Sequence, residues 1–156
     1  MKLSGGCFCG AVRYRLLKEP MFVQCCHCTN CQIQTGSAFV INAPIETANI
    51  KVIRGTLERT PMSPKNSRPH DIYRCRKCKV ALWSDYGRRP ALRFLRVSTI
   101  DRPHGIKPKA HIFTRSQVSW VGIPKGVPSF KVYYDIKKLW PAKSLKRREA
   151  ILGVGR

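Results

Sequence analysis

A chain of 156 residues has room for one ordinary domain with its own core, which excludes two large domains. Apolar residues make up 43% and charged residues 24%, a composition that excludes a disordered polymer. Thirty Lys and Arg against 8 Asp and Glu leave a net charge of +22, so the surface draws anions such as phosphates, acidic lipids or carboxylate-bearing metabolites.

In chain order, the start from Met1 to Gly6 lacks the apolar run of a signal peptide, and no stretch approaches the ~20 apolar residues of a membrane span. A cytoplasmic protein is expected. Ala11 to Leu16 (AVRYRL) alternates apolar and basic residues, as does Lys51 to Arg54, the pattern of strands with one wet face. Further strands are expected over Phe39 to Asn42, His70 to Arg74, Ala81 to Ser84, Leu92 to Val97 and Lys131 to Tyr134. Turn formers separate them at close intervals, among them Gly55, Pro64, Gly87, Pro103 and Pro128. These signals imply an all-β domain with long loops and no internal repeat. No window before the end of the chain reads as an amphipathic helix, although a turn of helix fits Thr29 to Thr35. From Ile136 to Arg156 the only acid is Glu149, among several Lys and Arg, so this stretch reads as a basic tail or a short surface helix.

Eight cysteines in a reducing compartment are expected to stay as thiols, which makes metal ligation the leading explanation for them. They cluster as Cys7-Phe8-Cys9, Cys25-Cys26-His27-Cys28-Thr29-Asn30-Cys31 and Cys75-Arg76-Lys77-Cys78. Residues two apart in an extended segment face the same side, so Cys7 and Cys9 can converge, with Phe8 expected to turn into the core. In a C-x-x-C turn both sulfurs lie on one side of the knuckle. Spacing leaves two solutions open. One joins Cys28, Cys31, Cys75 and Cys78 in a closed site and leaves four spare thiols. The other joins Cys7, Cys9, Cys75 and Cys78, leaving Cys26, Cys28 and Cys31 as an incomplete tetrahedron of the kind catalysis needs.

Gly6-Cys7-Phe8-Cys9-Gly10-Ala11-Val12-Arg13-Tyr14, Cys26-His27-Cys28-Thr29-Asn30-Cys31, Gly36-Ser37-Ala38-Phe39, Cys75-Arg76-Lys77-Cys78 and His111-Ile112-Phe113 resemble the glutathione-dependent formaldehyde-activating enzyme family. The likeness runs from about Leu3 to Tyr134. It implies a zinc-stabilised all-β fold, the β-tent, built from several small antiparallel sheets. A family-like zinc domain over 1–135 and a basic C-terminal tail over 136–156 are then expected. The resemblance also selects the second pairing, with a structural zinc on Cys7, Cys9, Cys75 and Cys78. A second, catalytic zinc would sit on Cys26, Cys28 and Cys31. Two departures stand out. Lys79-Val80 follow Cys78 where the family has a glycine, and Gln32 stands where a basic residue commonly follows the last thiolate.

The resemblance implies carbon-sulfur lyase chemistry like that of S-(hydroxymethyl)glutathione synthase, acting on glutathione or a similar thiol adduct. Three thiolates leave a divalent zinc at net charge about −1, which favours positioning a substrate thiolate over activating a carbonyl. Two other readings compete with it. In one, both zincs are structural, with His27 or another residue closing the second site. In the other the domain binds nucleic acid through its basic surface, as suggested by centromere protein V, a chromosome-associated protein that shares it. Cys25 reads as a small buried hydrophobe and His27 as a surface or supporting residue. His111 and Trp120 read as pocket wall or core, and Arg115 as a carboxylate contact.

Overall fold

The computed structural model describes residues 3–63, 68–102 and 105–153. Met1, Lys2, Pro64, Pro103 and Arg156, which entered the sequence reading, lie outside the described residues.

Among the described residues ten strands form two sheets. The smaller has the order β1 (Ser4–Gly6), β2 (Arg13–Leu16), β5 (Ile50–Arg54). The larger runs β10 (His111–Ile112), β3 (Gln24–Cys26), β4 (Val40–Glu46), β9 (Leu92–Arg96), β8 (Ala81–Tyr86), β7 (His70–Cys75), β6 (Leu57–Pro61). Each strand pair is antiparallel except β10 with β3. The all-β expectation holds, with helices short and peripheral: α1 (Thr29–Thr35), α2 (Ile136–Leu139) and α3 (Ala142–Leu152). Among the described residues no helix is long and apolar enough to cross a membrane.

Alternation works as expected in β2, where Tyr14 and Leu16 are buried while Arg13 and Arg15 face outward. Tyr14 meets Trp83 edge to face, with ring centroids 5.9 Å apart. The companion strand β5 differs from expectation: Val52 and Ile53 are exposed, because β5 forms the outer edge of the small sheet. Gly55 then carries the chain from one sheet to the other. Its φ is 89°, and a Cβ there would lie 2.2 Å from the carbonyl oxygen of Ala11.

The long strand β4 divides the core by alternation. Ala43 and Ile45 join Val12, Tyr14, Leu82, Trp83 and Leu95 on one face, and Val40 faces the other with Met21, Phe22, Cys26, Cys31, Leu92 and Trp140. α3 covers part of this second cluster with Leu145, Ile151 and Leu152. It is tied there by Ser144 Oγ donating to the Met21 carbonyl at 2.6 Å and by the Arg147 guanidinium on the Glu46 carboxylate at 2.6 Å. Trp140, between α2 and α3, stacks on Phe22 at 5.4 Å.

Lys131 to Tyr134 carry no strand, contrary to expectation. Their neighbours do bond, with Phe113 N–H donating to the Val132 carbonyl at 2.7 Å. Phe113 itself is left-handed, at φ 55°, and leads into a tight turn over Thr114–Ser116 that stops the ladder. Four short strands, β1, β3, β6 and β10, carry no pattern that the sequence reading registered.

Candidate functional site

The fold gathers the thiols into two sets. Cys7, Cys9, Cys75 and Cys78 have their sulfurs within 4.8 Å of one another, and so do Cys26, Cys28 and Cys31. Each set could hold a metal ion. In the first, Cys7 and Cys9 sulfurs are 3.6 Å apart and Cys9 and Cys75 sulfurs 3.9 Å apart. Thiolates in a tetrahedron around zinc at ~2.3 Å keep a mutual spacing of ~3.8 Å, so the donors match such an ion. The set joins the hairpin entering β2 to the end of β7, and backbone N–H groups support it: Val12 donates to Cys7 Sγ at 3.2 Å and Cys78 to Cys75 Sγ at 3.5 Å.

Phe8 is 93% exposed and does not turn into the core. Phe8 and Cys9 lie in a turn closed by Gly10 N–H donating to the Cys7 carbonyl at 3.1 Å, so no strand alternation carries Phe8 inward, and Cys9 is itself exposed. After Cys78 the turn is made by Lys79 in the left-handed region, φ 60°, where the family's glycine would sit without strain.

The second set is local. Cys26 ends β3, Cys28 caps α1 by accepting from Cys31 N–H at 3.4 Å, and Cys31 lies in the helix. Hydrogen bonds from Cys26 and then Cys31 pull the Cys28 thiol far below its usual range, and the same crowding pushes Cys26 far above. Three thiols in such contact cannot all ionise unless a cation joins them. Gln32 clamps this loop, its Nε2 donating to the carbonyls of His27 and Ser116, each at 2.8 Å.

His27 does not close the second set. Its ring, 0% exposed, stands with Cys25 and His111. His27 Nε2 and His111 Nδ1 are 2.8 Å apart with rings 25° from parallel. Two nitrogens sharing one ion keep ~3.3 Å between them, so the spacing is that of a direct imidazole hydrogen bond. Burial pulls both imidazoles below their ordinary range and pushes the Cys25 thiol up to about 12. Cys25 is a buried thiol, as its reading suggested.

Cys26 and Cys28 open onto a cavity of about 570 Å³ between β3, β4, β9 and the C-terminal helices. Gln24, Asn42, Phe94, Ile112, Phe113 and Trp140 line it, together with the guanidiniums of Arg68, Arg89 and Arg148. Arg89 is fixed by Nε donating to the Tyr86 carbonyl at 2.9 Å and lies over the Phe94 ring at 5.8 Å. Burial, then the charges of Arg68 and Arg148, pulls its pKa down. A pocket of this volume with convergent cations and apolar walls suits an organic anion. Trp120 is 78% exposed and Arg115 is exposed; neither lines this cavity. The three cavity arginines were missed because they come from separate loops and a helix, with only proximity in the fold to connect them.

A family model described as "Glutathione-dependent formaldehyde-activating enzyme" matches residues 2–116. A Halomonas elongata protein named "Putative glutathione-dependent formaldehyde-activating enzyme" is 30% identical over 130 residues, covering 79% of this chain and 82% of that protein. The crystal structure of a Rhodobacter sphaeroides protein shares the fold, with a TM-score of 0.50 at 20% identity over 67% of this chain and 96% of that one.

Proposed function

The chain belongs to the glutathione-dependent formaldehyde-activating enzyme family, and from that premise we propose that it is a zinc-dependent carbon-sulfur lyase acting on glutathione or a similar thiol adduct. The observation that carries this reading is the shared cavity, where two thiols of an incomplete tetrahedron face three guanidiniums. Cys7, Cys9, Cys75 and Cys78 would hold a structural zinc, and Cys26, Cys28 and Cys31 a second one. Bound there, zinc supplies an open coordination position that keeps a substrate sulfur as thiolate near neutral pH.

The protein's own residues do the rest. Arg68, Arg89 and Arg148 bind the substrate's carboxylates and so aim its sulfur toward Cys26 and Cys28. Phe94, Ile112, Phe113 and Trp140 exclude water from the cavity, which strengthens those ionic contacts. In the addition direction a carbon-sulfur bond forms between the thiol sulfur and the carbonyl carbon of formaldehyde, and the proton leaving sulfur ends on the new hydroxyl. The reverse step breaks the same bond.

The test is the exchange rate between free and hydroxymethylated glutathione, followed by NMR at known metal content. Two-zinc protein is expected to accelerate exchange well above the uncatalysed rate, and Cys28→Ser protein is not. Equal rates with and without fully loaded protein would sink the proposal. The nucleic-acid reading draws on the +22 charge and on the resemblance to a chromosome-associated protein. A gel shift at about 50 and 200 mM salt checks it, with steep loss of binding expected if phosphates are the partner.

A further inference from the structure

Arg96 ends β9 and is 3% exposed. Its guanidinium donates to Asn42 Oδ1 at 2.6 Å, Ser84 Oγ at 3.0 Å and Gln34 Oε1 at 3.2 Å, all neutral acceptors, and its Nε has no partner. Among the described residues no carboxylate lies within ion-pair distance of it. Arg93, three residues earlier on β9 and also buried, instead meets Asp85 at 3.0 Å. A buried charge without a counter-charge is strongly unfavourable, so something must balance Arg96.

The register shows which groups share its face of the sheet. Gln24, Asn42 and Arg96 stand opposite one another across β3, β4 and β9, and Cys26 follows Gln24 two positions on, so these side chains share one face of the sheet. Asn42 lines the cavity with Cys26 and Cys28, and Gln34 belongs to the same short helix as Cys31.

We propose that Arg96 is the counter-cation of the three-thiolate centre, a positioning residue whose charge cancels the −1 left when Cys26, Cys28 and Cys31 hold a divalent ion. This rests on the reading that those thiols bind such an ion. Three thiolates and a divalent cation sum to −1, and the guanidinium brings the buried unit to neutrality. Arg96 holds Asn42, which lines the cavity with Cys26 and Cys28, and Gln34, on the helix of Cys31, and acts on the thiolates through its field.

The experiment loads reduced, metal-free protein with zinc, counts the ions, and follows their release to a chromogenic chelator; cobalt(II) loading reports the thiolate charge-transfer band. Wild type is expected to hold two ions that leave in separate phases. Arg96→Gln is expected to weaken the second site about 10- to 100-fold while the four-thiolate phase stays as it was. Arg96→Lys, which keeps the charge, is expected to restore most of the affinity. Asn42→Asp tests the same idea without removing the arginine: a carboxylate beside Arg96 captures its charge and is expected to loosen the second ion. Unchanged release in Arg96→Gln, or in Asn42→Asp should the former not fold, overturns the proposal. A Lys variant as weak as the Gln variant also overturns it, since charge would then not be the agent. A wild type holding one ion, with none lost in Cys28→Ser, overturns the three-thiolate reading itself and Arg96's role with it.

Discussion

The two thiol sets are made of similar knuckles, yet the fold places them differently. In both C-x-x-C turns the last cysteine's N–H donates to the first one's sulfur. The four-cysteine set links residues 66 positions apart and sits against the cluster that fills the space between the sheets. The three-cysteine set is drawn from Cys26 to Cys31 and borders a cavity. A complete, long-range set suits a clamp, and an incomplete, local set facing open space suits chemistry.

The sharpest way to break this contrast is to remove one ligand from each. Cys75→Ser is expected to abolish the cooperative thermal transition seen by circular dichroism, since a structural zinc contributes on the order of 10 kcal/mol, comparable with a whole domain's stability. A melt within a few degrees of wild type would show that the clamp is not one. Cys28→Ser is expected to melt cooperatively, hold one ion fewer and lose turnover by more than about 100-fold, the upper figure for a merely supporting residue. Unfolding of this variant would erase the distinction.

Smaller changes sharpen it. Arg89→Ala is expected to raise KM for an anionic thiol about 10-fold with kcat little changed, as for loss of one charged hydrogen bond; steady-state kinetics would show a kcat effect instead if Arg89 acted in the bond-making step. On the cavity's side, His70 is stacked at 4.1 Å on Tyr86, which lines the cavity, and burial brings its pKa down to about 4. The unfolded chain takes up a proton near pH 6.5 and the folded chain does not, so stability falls as pH drops from ~6.5 to about 4, by up to ~1.4 kcal/mol per pH unit. Urea titrations of wild type and His70→Asn across that range are expected to diverge; parallel curves would remove His70 as the cause. The smallest effect is at the turn after Cys78. Lys79→Gly relieves a left-handed side-chain-bearing residue and is expected to stabilise by about 0.5–1 kcal/mol, read from the urea midpoint.

The thiols were legible because ligand spacing is a local property: Cys7/Cys9, Cys28/Cys31 and Cys75/Cys78 announce themselves within a few residues. β2 was legible for a similar reason, its alternation being contained in the strand, whereas β7 and β8 do not alternate and were marked out by the turn formers that separate them. What failed depends on distant partners. The three-residue β3 and two-residue β10 have no period of their own and exist because each finds the other, His111 opposite Cys25. Trp120 reads as a wall and stands exposed, because no second element packs over it enough to bury it. Arg96 looks like any basic residue in a chain with 30 of them until its burial is seen.

The 66-residue separation between Cys9 and Cys75 also sets an order of events at the ribosome. At about 5–20 residues per second, the first pair of the clamp waits roughly 3–13 s for the second to be made. The Cys26–Cys31 loop is finished long before that. On the proposed reading, the trio therefore leaves the ribosome and is exposed to cellular metal before the clamp can close.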